Sequence, residues 1–280
     1  MDPFDKVIHS IREFPTLPTV YTKLSDIIAN PRSTANDVAS LISQDQAAAS
    51  KILRAANSSI YGFRGRINTI SQAVIYIGFD EVKNLIIAMS IINLFKKFKH
   101  TQDFNPIDLW RHSIGVGVIT RYLGRSIGIK NIENYFVAGI LHDIGKLVFL
   151  KSIPEQYLKV INYALENNIS AKDAESEILG ITHTIVGDLL AERWKLPISI
   201  KDSIRYHNTG RVEGKLSLIV SCVHIANVAA SIAGFGQAGD DVIPEPNPEV
   251  WDALNLPENF FTKSMKDILN DYEESVQLLL

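Results

Sequence analysis

The residues best suited to chemistry in this sequence are histidines, together with one adjacent aspartate. Five of the seven histidines fall between residues 112 and 224. His142 is followed directly by Asp143, so a nitrogen donor and an oxygen donor stand side by side in the chain. Donors of these two kinds suit zinc, iron or manganese. The pattern therefore predicts a metal centre built around this pair.

A divalent ion needs several ligands, and in a helical protein they come from side chains that point inward from different helices. His112 lies on the helix predicted before the pair, and Asp108 stands on the same face four residues earlier. His183 opens the predicted following helix, and His207 ends another. The candidate metal ligands are four histidines and one aspartate, namely His112, His142, Asp143, His183 and His207.

Lys146 is a candidate contact for an anion such as phosphate. It stands four residues after His142, and side chains at that spacing share one face of a helix. No residue is assigned a catalytic role, and no binding site for an organic cofactor is predicted. Cys222 is the single cysteine, which excludes an intramolecular disulfide. It lies in an apolar run, so we expect a buried side chain rather than a nucleophile.

The elements that must hold these side chains are predicted to be helices almost throughout. Apolar residues at helical spacing run from Val20 to Ala29 and stop at Asn30-Pro31, because proline cannot continue a helix. Ser33 or Thr34 can cap the helix that follows, with Asp37 placed to support its first turn. Alternating runs are too short for a sheet. The sequence therefore predicts an all-α fold.

Two polar segments divide the chain. One covers about residues 98–106 and contains Asn105-Pro106, and the other covers residues 234–248 and is rich in Gly, Pro and Asp. We therefore predict an N-terminal helical lobe over residues 1–100, a helical bundle with the candidate ligands over 101–235, and a loop with a C-terminal helical tail over 236–280.

Composition limits the class of protein. The chain has 280 residues, of which 46% are hydrophobic and 21% charged, as is typical of a globular protein rather than a disordered one. Its most apolar stretch, Leu85–Phe95, has 11 residues, whereas about 20 are needed to cross a bilayer. No signal peptide is visible. We expect a cytoplasmic protein that does not enter a membrane.

The distribution of charge gives weak support to nucleic-acid binding. The net charge is −3, but the first 100 residues hold 12 Lys and Arg against 8 Asp and Glu. The basic residues of interest are Arg64, Arg66, Lys96, Lys97 and Lys99. A nucleic-acid-binding domain usually has a basic stripe or a pI above about 9, so we regard a nucleic-acid partner as the least favoured hypothesis.

Several motifs resemble known families. The spacing of His112 and His142-Asp143 resembles the HD superfamily of metal-dependent phosphohydrolases, and Leu141–Lys146 is similar to its HD-GYP branch. Other stretches resemble the HDOD domain, the HD-related output domain. They are Phe14–Pro18, Ile42–Asp45, Lys51–Ser58, Ile70–Gly78 and Glu175–His183.

The resemblance implies an all-α fold, with the N-terminal lobe of an HDOD domain and an HD-like helical bundle, and a role in bacterial signal transduction. It also exposes departures from the active phosphohydrolase pattern. Asn227 stands where an active site has a closing Asp, and His207-Asn208 stands where HD-GYP domains have paired histidines. Asp108 aligns with a leading Glu and is one methylene shorter. The resemblance therefore implies a degenerate metal site.

Two functions remain open at this point. The favoured one is a non-catalytic signalling module that acts through a protein partner or a small ligand, and that binds Fe, Mn, Zn or Ni through the five candidate ligands. The alternative is a metal-dependent phosphohydrolase or phosphodiesterase acting on nucleotides or cyclic dinucleotides. The same histidines can instead form a hydrogen-bonded network that holds the helices in register without metal. A homo-oligomer is compatible with each hypothesis.

Overall fold

The computed structural model describes residues 3–17, 19–58, 66–95, 104–129, 132–239 and 241–280. Over these residues the chain forms sixteen α-helices and one short antiparallel hairpin, which confirms the predicted all-α class. In chain order the elements are α1 (Pro3–Glu13), α2 (Thr19–Ala29), α3 (Ala35–Ile42), α4 (Gln46–Ala56), α5 (Ile70–Ile77), α6 (Phe79–Phe95), α7 (Pro106–Ser126), α8 (Glu133–Leu141), α9 (Ile144–Ser152), α10 (Pro154–Asn167), α11 (Ala171–Leu179), α12 (His183–Arg193), α13 (Ile198–Tyr206), β1 (Arg211–Val212), β2 (Lys215–Leu216), α14 (Leu218–Ile232), α15 (Pro248–Leu254) and α16 (Phe260–Leu279).

The chain divides into two compact units. The first unit consists of Met1–Pro15 and Phe95–Ser264, and the second of Thr16–Leu94 and Met265–Leu280. Both units are discontinuous, whereas the three segments predicted from the sequence follow one another along the chain. The predicted bounds at residues 100 and 235 stay a prediction.

Capping residues set the limits of the short helices in the second unit. Thr34 begins α3 with a capping box, in which the backbone N–H of Thr34 donates to Asp37 Oδ2 at 2.8 Å. The side chain of Asp45 accepts hydrogen bonds from the first backbone N–H groups of α4. Gly78 ends α5 with a φ of 92°, a value that side chains disfavour. The cap at Thr34 confirms the start predicted for α3 from the sequence.

Helix α1 and the short β1–β2 hairpin are elements that the sequence patterns do not predict. Val7 and Ile11 form the buried stripe of α1. Arg193, in the last turn of α12, donates hydrogen bonds to the backbone carbonyls of Ile11 and Phe14. The first helix is therefore tied to the first unit at its C-terminal end.

Helices α7, α8 and α14 form the core of the first unit. Most of their residues are buried on every side, including Trp110 and Cys222, each 0% exposed. This burial confirms the expectation for Cys222. Among the described residues, no helix is both long and apolar enough to cross a membrane. Four of the basic residues considered for nucleic-acid binding lie outside the described residues, namely Arg64, Lys96, Lys97 and Lys99.

Candidate metal centre

The five predicted ligands lie together in the interior of the first unit. None of them is more than 3% exposed. The ring centroids of His142 and His207 are 4.9 Å apart, and those of His183 and His207 are 5.4 Å apart. Each ligand comes from a different position in the fold: His112 is on α7, His142 follows α8, Asp143 precedes α9, His183 begins α12 and His207 follows α13.

Two close helix crossings bring these side chains together. A Cβ atom at Gly145 on α9 would lie 1.9 Å from the carbonyl oxygen of His183 and 2.8 Å from the backbone nitrogen of Gly187, both on α12. A Cβ atom at Gly139 on α8 would lie 2.6 Å from the Cα of Gly117 on α7. Any larger side chain would push the ligand-bearing helices apart. The glycines thus set the distances between the ligands.

Asp143 is shared by two groups of candidate ligands. The donor atoms of His112, His142 and Asp143 all lie within 4.8 Å of one another, and so do those of Asp143, His183 and His207. Oδ1 of Asp143 is 3.2 Å from His183 Nε2 and 3.6 Å from His207 Nε2, whereas Oδ2 is 3.4 Å from His142 Nε2. The carboxylate therefore lies between ring nitrogens on both sides.

Hydrogen-bond acceptors fix which nitrogen of three histidines faces this carboxylate. Nδ1 of His142 and Nδ1 of His207 lie 2.7 Å and 3.0 Å from the carbonyl oxygen of the residue three positions earlier. Nδ1 of His183 lies 2.7 Å from Oε2 of Glu175. Carbonyl and carboxylate oxygens accept hydrogen bonds, so each Nδ1 carries a hydrogen. Each Nε2 is thereby directed to the centre, which is how metal-binding histidines are usually oriented.

The Nε2 atom of His142 shows that the site fits a metal. His142 is fully buried, and its Nε2 has no hydrogen-bond partner among the described residues. A buried polar atom without a partner is costly, and such atoms often mark a site for an ion or water. An imidazole lone pair beside a carboxylate is a suitable ligand for a divalent transition metal. The residues present are thus chemically suited to hold one.

Lys146 contacts the centre, but not in the predicted way. The prediction that it shares a helix face with His142 is wrong, because one helix ends at Leu141 and another begins at Ile144. Its Nζ donates to Asp143 Oδ2 at 2.7 Å and to the carbonyl oxygen of Ala238 at 2.8 Å. An anion contact by Lys146 stays a prediction.

The charges at the centre are set by burial and by these neighbours. Burial alone would raise the pKa of the Asp143 carboxyl, but neighbouring His142 and Lys146 and the hydrogen bond with His183 hold this pKa well below its usual value. Burial opposes a charge on His183 as well, yet Glu175 outweighs it and raises the pKa of His183 to about 9. A metal that binds this ring must therefore displace a proton.

His112 and His207 are held in their neutral form. Burial lowers the pKa of His112 to about 3, and it also lowers the pKa of His207 well below its usual value. Nε2 of His112 lies 2.9 Å from Oδ1 of Asn227. Whether the amide of Asn227 presents its oxygen or its nitrogen, it can form a hydrogen bond with this ring nitrogen. A neutral amide is thus the partner of this ring nitrogen, at the position that the sequence resemblance aligns with a carboxylate.

Two other residues of the predicted pattern have different partners. The carboxylate of Asp108 pairs with Arg111 at 3.1 Å and accepts a hydrogen bond from Asn105 at 2.8 Å. Nδ2 of Asn208 lies 3.1 Å from Nε2 of His207. The partners of Asp108 are therefore Arg111 on the same helix and Asn105, which directly precedes that helix. Asn208, in contrast, contacts one of the candidate ligands.

Sequence reasoning assigned no role to Glu175 or His224, and both support the centre. Glu175 is fully buried and hydrogen-bonded to His183. Nδ1 of His224 lies 2.8 Å from the carbonyl oxygen of His207, and its Nε2 accepts from the backbone N–H of Asn247 at 2.9 Å. Their residue types mark them as candidates, but nothing in their spacing reveals these partners.

A cavity of about 300 Å³ reaches the centre from the protein surface. Both polar and apolar residues line it, and Val242, Ile243 and Pro244 are among the apolar ones. The functional residues that line it are His112, Asp143, Lys146, His183, His207 and Asn227. Four of the five candidate ligands, all except His142, therefore line this cavity.

Comparison with known proteins identifies the family. Residues 14–209 match the HDOD domain. The chain belongs to the HDOD family. The fold of this HDOD protein is similar to that of an HDOD domain protein of unknown function from Geobacter sulfurreducens, with 26% identity, 99% of both chains covered and a TM-score of 0.79. It is also similar to a candidate phosphohydrolase from Shewanella amazonensis SB2B, with 24% identity, 98% of both chains covered and a TM-score of 0.74.

One curated relative is considerably longer than this HDOD protein. An uncharacterized protein of Treponema pallidum (strain Nichols) is 28% identical over 220 residues, which are 78% of this chain and 42% of the relative. The chain thus spans less than half of that relative.

Proposed function

We propose that this HDOD protein is a non-catalytic signalling module whose buried centre binds one divalent transition metal. The observation that carries the proposal is the contact between Asn227 and Nε2 of His112 at 2.9 Å. An amide carries no charge and is a weaker ligand than a carboxylate. Phosphoester hydrolysis requires an open coordination position and a metal-activated water. The centre holds one carboxylate among its five ligands, and Lys146 already neutralises it.

The metal would be held by the five buried ligands, and Fe, Mn, Zn or Ni each suit a set of imidazoles with one carboxylate. When bound, such an ion would supply a positive charge that links residues on or next to five helices, α7, α8, α9, α12 and α13. The protein's own residues do the rest: backbone carbonyls and Glu175 orient the imidazoles, and Lys146 balances the charge of Asp143. The module would then act on a protein partner. Alternatively, a small ligand that binds in the cavity would be the signal that it receives.

The alternative function is a metal-dependent phosphohydrolase acting on nucleotides or cyclic dinucleotides. The specific observation in its favour is the cavity, which connects the surface to Asp143 and places Lys146 in its wall. An ammonium in such a wall is suited to a phosphate group. The resemblance to the HD superfamily is compatible with this function too.

One pair of measurements tests these functions. The protein is purified without chelators, its metal content is measured by inductively coupled plasma spectrometry, and hydrolysis of nucleotides and cyclic dinucleotides is assayed with Mn²⁺ and Fe²⁺. The proposal predicts about one equivalent of transition metal per chain and no turnover. Turnover that disappears in His142→Ala and Asp143→Ala would favour the phosphohydrolase. Absence of metal at stoichiometric level would remove the metal part of the proposal.

A matched variant tests the role of Asn227. Asn227→Asp restores a carboxylate beside His112 with almost no change in shape. We expect tighter metal binding in this variant, because a charged oxygen ligand is added to the centre. If metal affinity does not change, the amide of Asn227 does not limit the metal affinity of the centre.

A further inference from the structure

Glu175 is a buried carboxylate that lies next to the ligand set without belonging to it. We infer that Glu175 is a positioning residue that fixes the imidazole of His183 for metal binding. The inference rests on the proposed metal centre and adds a residue to it. Glu175 is on α11 and is 0% exposed, so its charge is held away from solvent.

Glu175 holds His183 at two points. Its Oε2 accepts from the backbone N–H of His183 at 2.6 Å and lies 2.7 Å from the Nδ1 atom of the same ring. The first contact fixes the start of α12, and the second fixes the rotation of the ring. Nε2 of His183 then lies 3.2 Å from Oδ1 of Asp143. The orientation of this ligand therefore depends directly on one carboxylate oxygen.

The other oxygen of Glu175 is held by Tyr157. The hydroxyl of Tyr157, on α10, donates to Oε1 at 2.9 Å, and this tyrosine is only 1% exposed. Both carboxylate oxygens thus have buried partners on other parts of the fold. Glu175 cannot turn away from His183 without breaking a buried hydrogen bond, which is costly.

The hydrogen-bond partner of Nδ1 in His183 differs in charge from the Nδ1 partners of two other ligands of the centre. Nδ1 of His142 and Nδ1 of His207 each have a neutral backbone carbonyl as partner, whereas His183 has a carboxylate. A carboxylate partner makes the opposite ring nitrogen a stronger ligand, and losing such a partner typically lowers metal affinity by about 10–100-fold. Of these three histidines, His183 is therefore the one whose surroundings most strongly support metal binding.

The same two helices provide a matched control. Glu177 lies two residues further along α11, is exposed, and accepts a hydrogen bond from the hydroxyl of Tyr163 on α10 at 2.9 Å. This pair repeats the glutamate–tyrosine chemistry of Glu175 and Tyr157 at the surface. Glu177→Gln thus changes the same functional group on the same helix away from the centre.

The experiment compares the wild type with Glu175→Gln, Glu175→Ala and Glu177→Gln in the full chain. Zinc affinity is measured by competition with a chromophoric chelator, and the absorption spectrum of bound Co²⁺ reports the ligand geometry. We expect about a 10–100-fold loss of zinc affinity and an altered Co²⁺ spectrum in Glu175→Gln, with no change in Glu177→Gln. Glu175→Gln keeps the size of the side chain, so it gives an answer even if Glu175→Ala does not fold.

A second readout needs no metal. In the metal-free protein, the Nδ1 hydrogen of His183 should give a downfield, slowly exchanging NMR resonance that shifts in Glu175→Gln and stays in place in Glu177→Gln. Unchanged zinc affinity in Glu175→Gln would overturn the inference. If the wild type binds no zinc, the proposed metal centre fails instead, and an unmoved His183 resonance would then overturn the role of Glu175 separately.

Discussion

The Nζ atom of Lys146 lies 2.7 Å from Oδ2 of Asp143, and both side chains are almost completely buried. An ammonium thus already occupies one oxygen of the single carboxylate among the five candidate ligands. Two cations repel each other strongly at such distances in a buried site. A divalent ion must therefore compete with Lys146 for Asp143, which makes this lysine a determinant of metal affinity.

The first prediction is that Lys146→Met binds divalent metal more tightly than the wild type. Removing the ammonium frees Oδ2 of Asp143 and removes a repulsive charge. We expect a gain of about tenfold or more, which corresponds to ~1.4 kcal/mol of binding free energy. Isothermal titration with Zn²⁺ measures it. Lys172→Met is the control, because Lys172 lines the same cavity from α11.

The same variant should be less stable without metal. Asp143 would keep a buried charge with no ammonium beside it, and breaking a buried ion pair in this way costs about 3–5 kcal/mol. Urea unfolding of metal-free Lys146→Met should show that loss, and added Zn²⁺ should recover part of it. Equal or weaker zinc binding by Lys146→Met would contradict a competition between the two cations.

The second prediction concerns Gly145, where α9 meets α12. A Cβ atom here would lie 1.9 Å from the backbone carbonyl oxygen of His183, and backbone cannot move aside as a side chain can. Overpacking ordinarily costs about 1–3 kcal/mol, and we expect Gly145→Ala to reach at least the upper end. Thermal or urea unfolding measures the loss, and metal binding should weaken as well.

Gly124 provides the control for this prediction. A Cβ atom at Gly124 would meet the ring of Tyr135 at 2.8 Å, and a side chain can adjust. Gly124→Ala should therefore cost less than Gly145→Ala and should leave metal affinity unchanged. Equal losses of stability in the two variants would show that the crossing of α9 and α12 is not specially tight.

The third prediction concerns the thiol of Cys222. This side chain is 0% exposed, and burial raises its pKa to about 12. At pH 8 only about one thiol in ten thousand would be ionised, and the thiolate is the reactive form. A disulfide reagent should therefore not modify the native protein at pH 8, and should modify it fully in urea. Rapid reaction of the native protein would mean that α14 opens readily.

Residue type and spacing were sufficient to predict the helical class and to select side chains that meet in space. His183 and His207 are separated by many residues, yet they lie at the start of α12 and just after α13, where the sequence patterns place them. His142 instead follows the end of α8 and does not share a helix with Lys146. The capping residues Thr34 and Asp45 likewise fix helix starts by local hydrogen bonds. Local interactions of this kind leave a clear trace in the sequence.

The remaining features depend on how the chain turns between helices and on how closely the helices pack. Lys146 pairs with Asp143 because the chain turns between α8 and α9, and a simple helical count does not predict that turn. Glu175 reaches His183 across the short connection between α11 and α12, and residue spacing alone does not predict this contact. The sequence alone does not show why residue 145 must be glycine, because the reason is its close approach to the backbone of α12. Tertiary packing decides the last of these, whereas the first two depend on the conformation of the short connections between successive helices.

The central claim is that the histidine rings converge on a metal-binding position beside Nε2 of His142. Anomalous diffraction from crystals grown without chelators, recorded on both sides of the absorption edges of the candidate metals, tests it most directly. We predict one anomalous peak at bonding distance from this nitrogen, about 2.0–2.1 Å for zinc, and no peak in His142→Ala. A wild-type map with no peak there, under conditions in which metal is available, would contradict the claim.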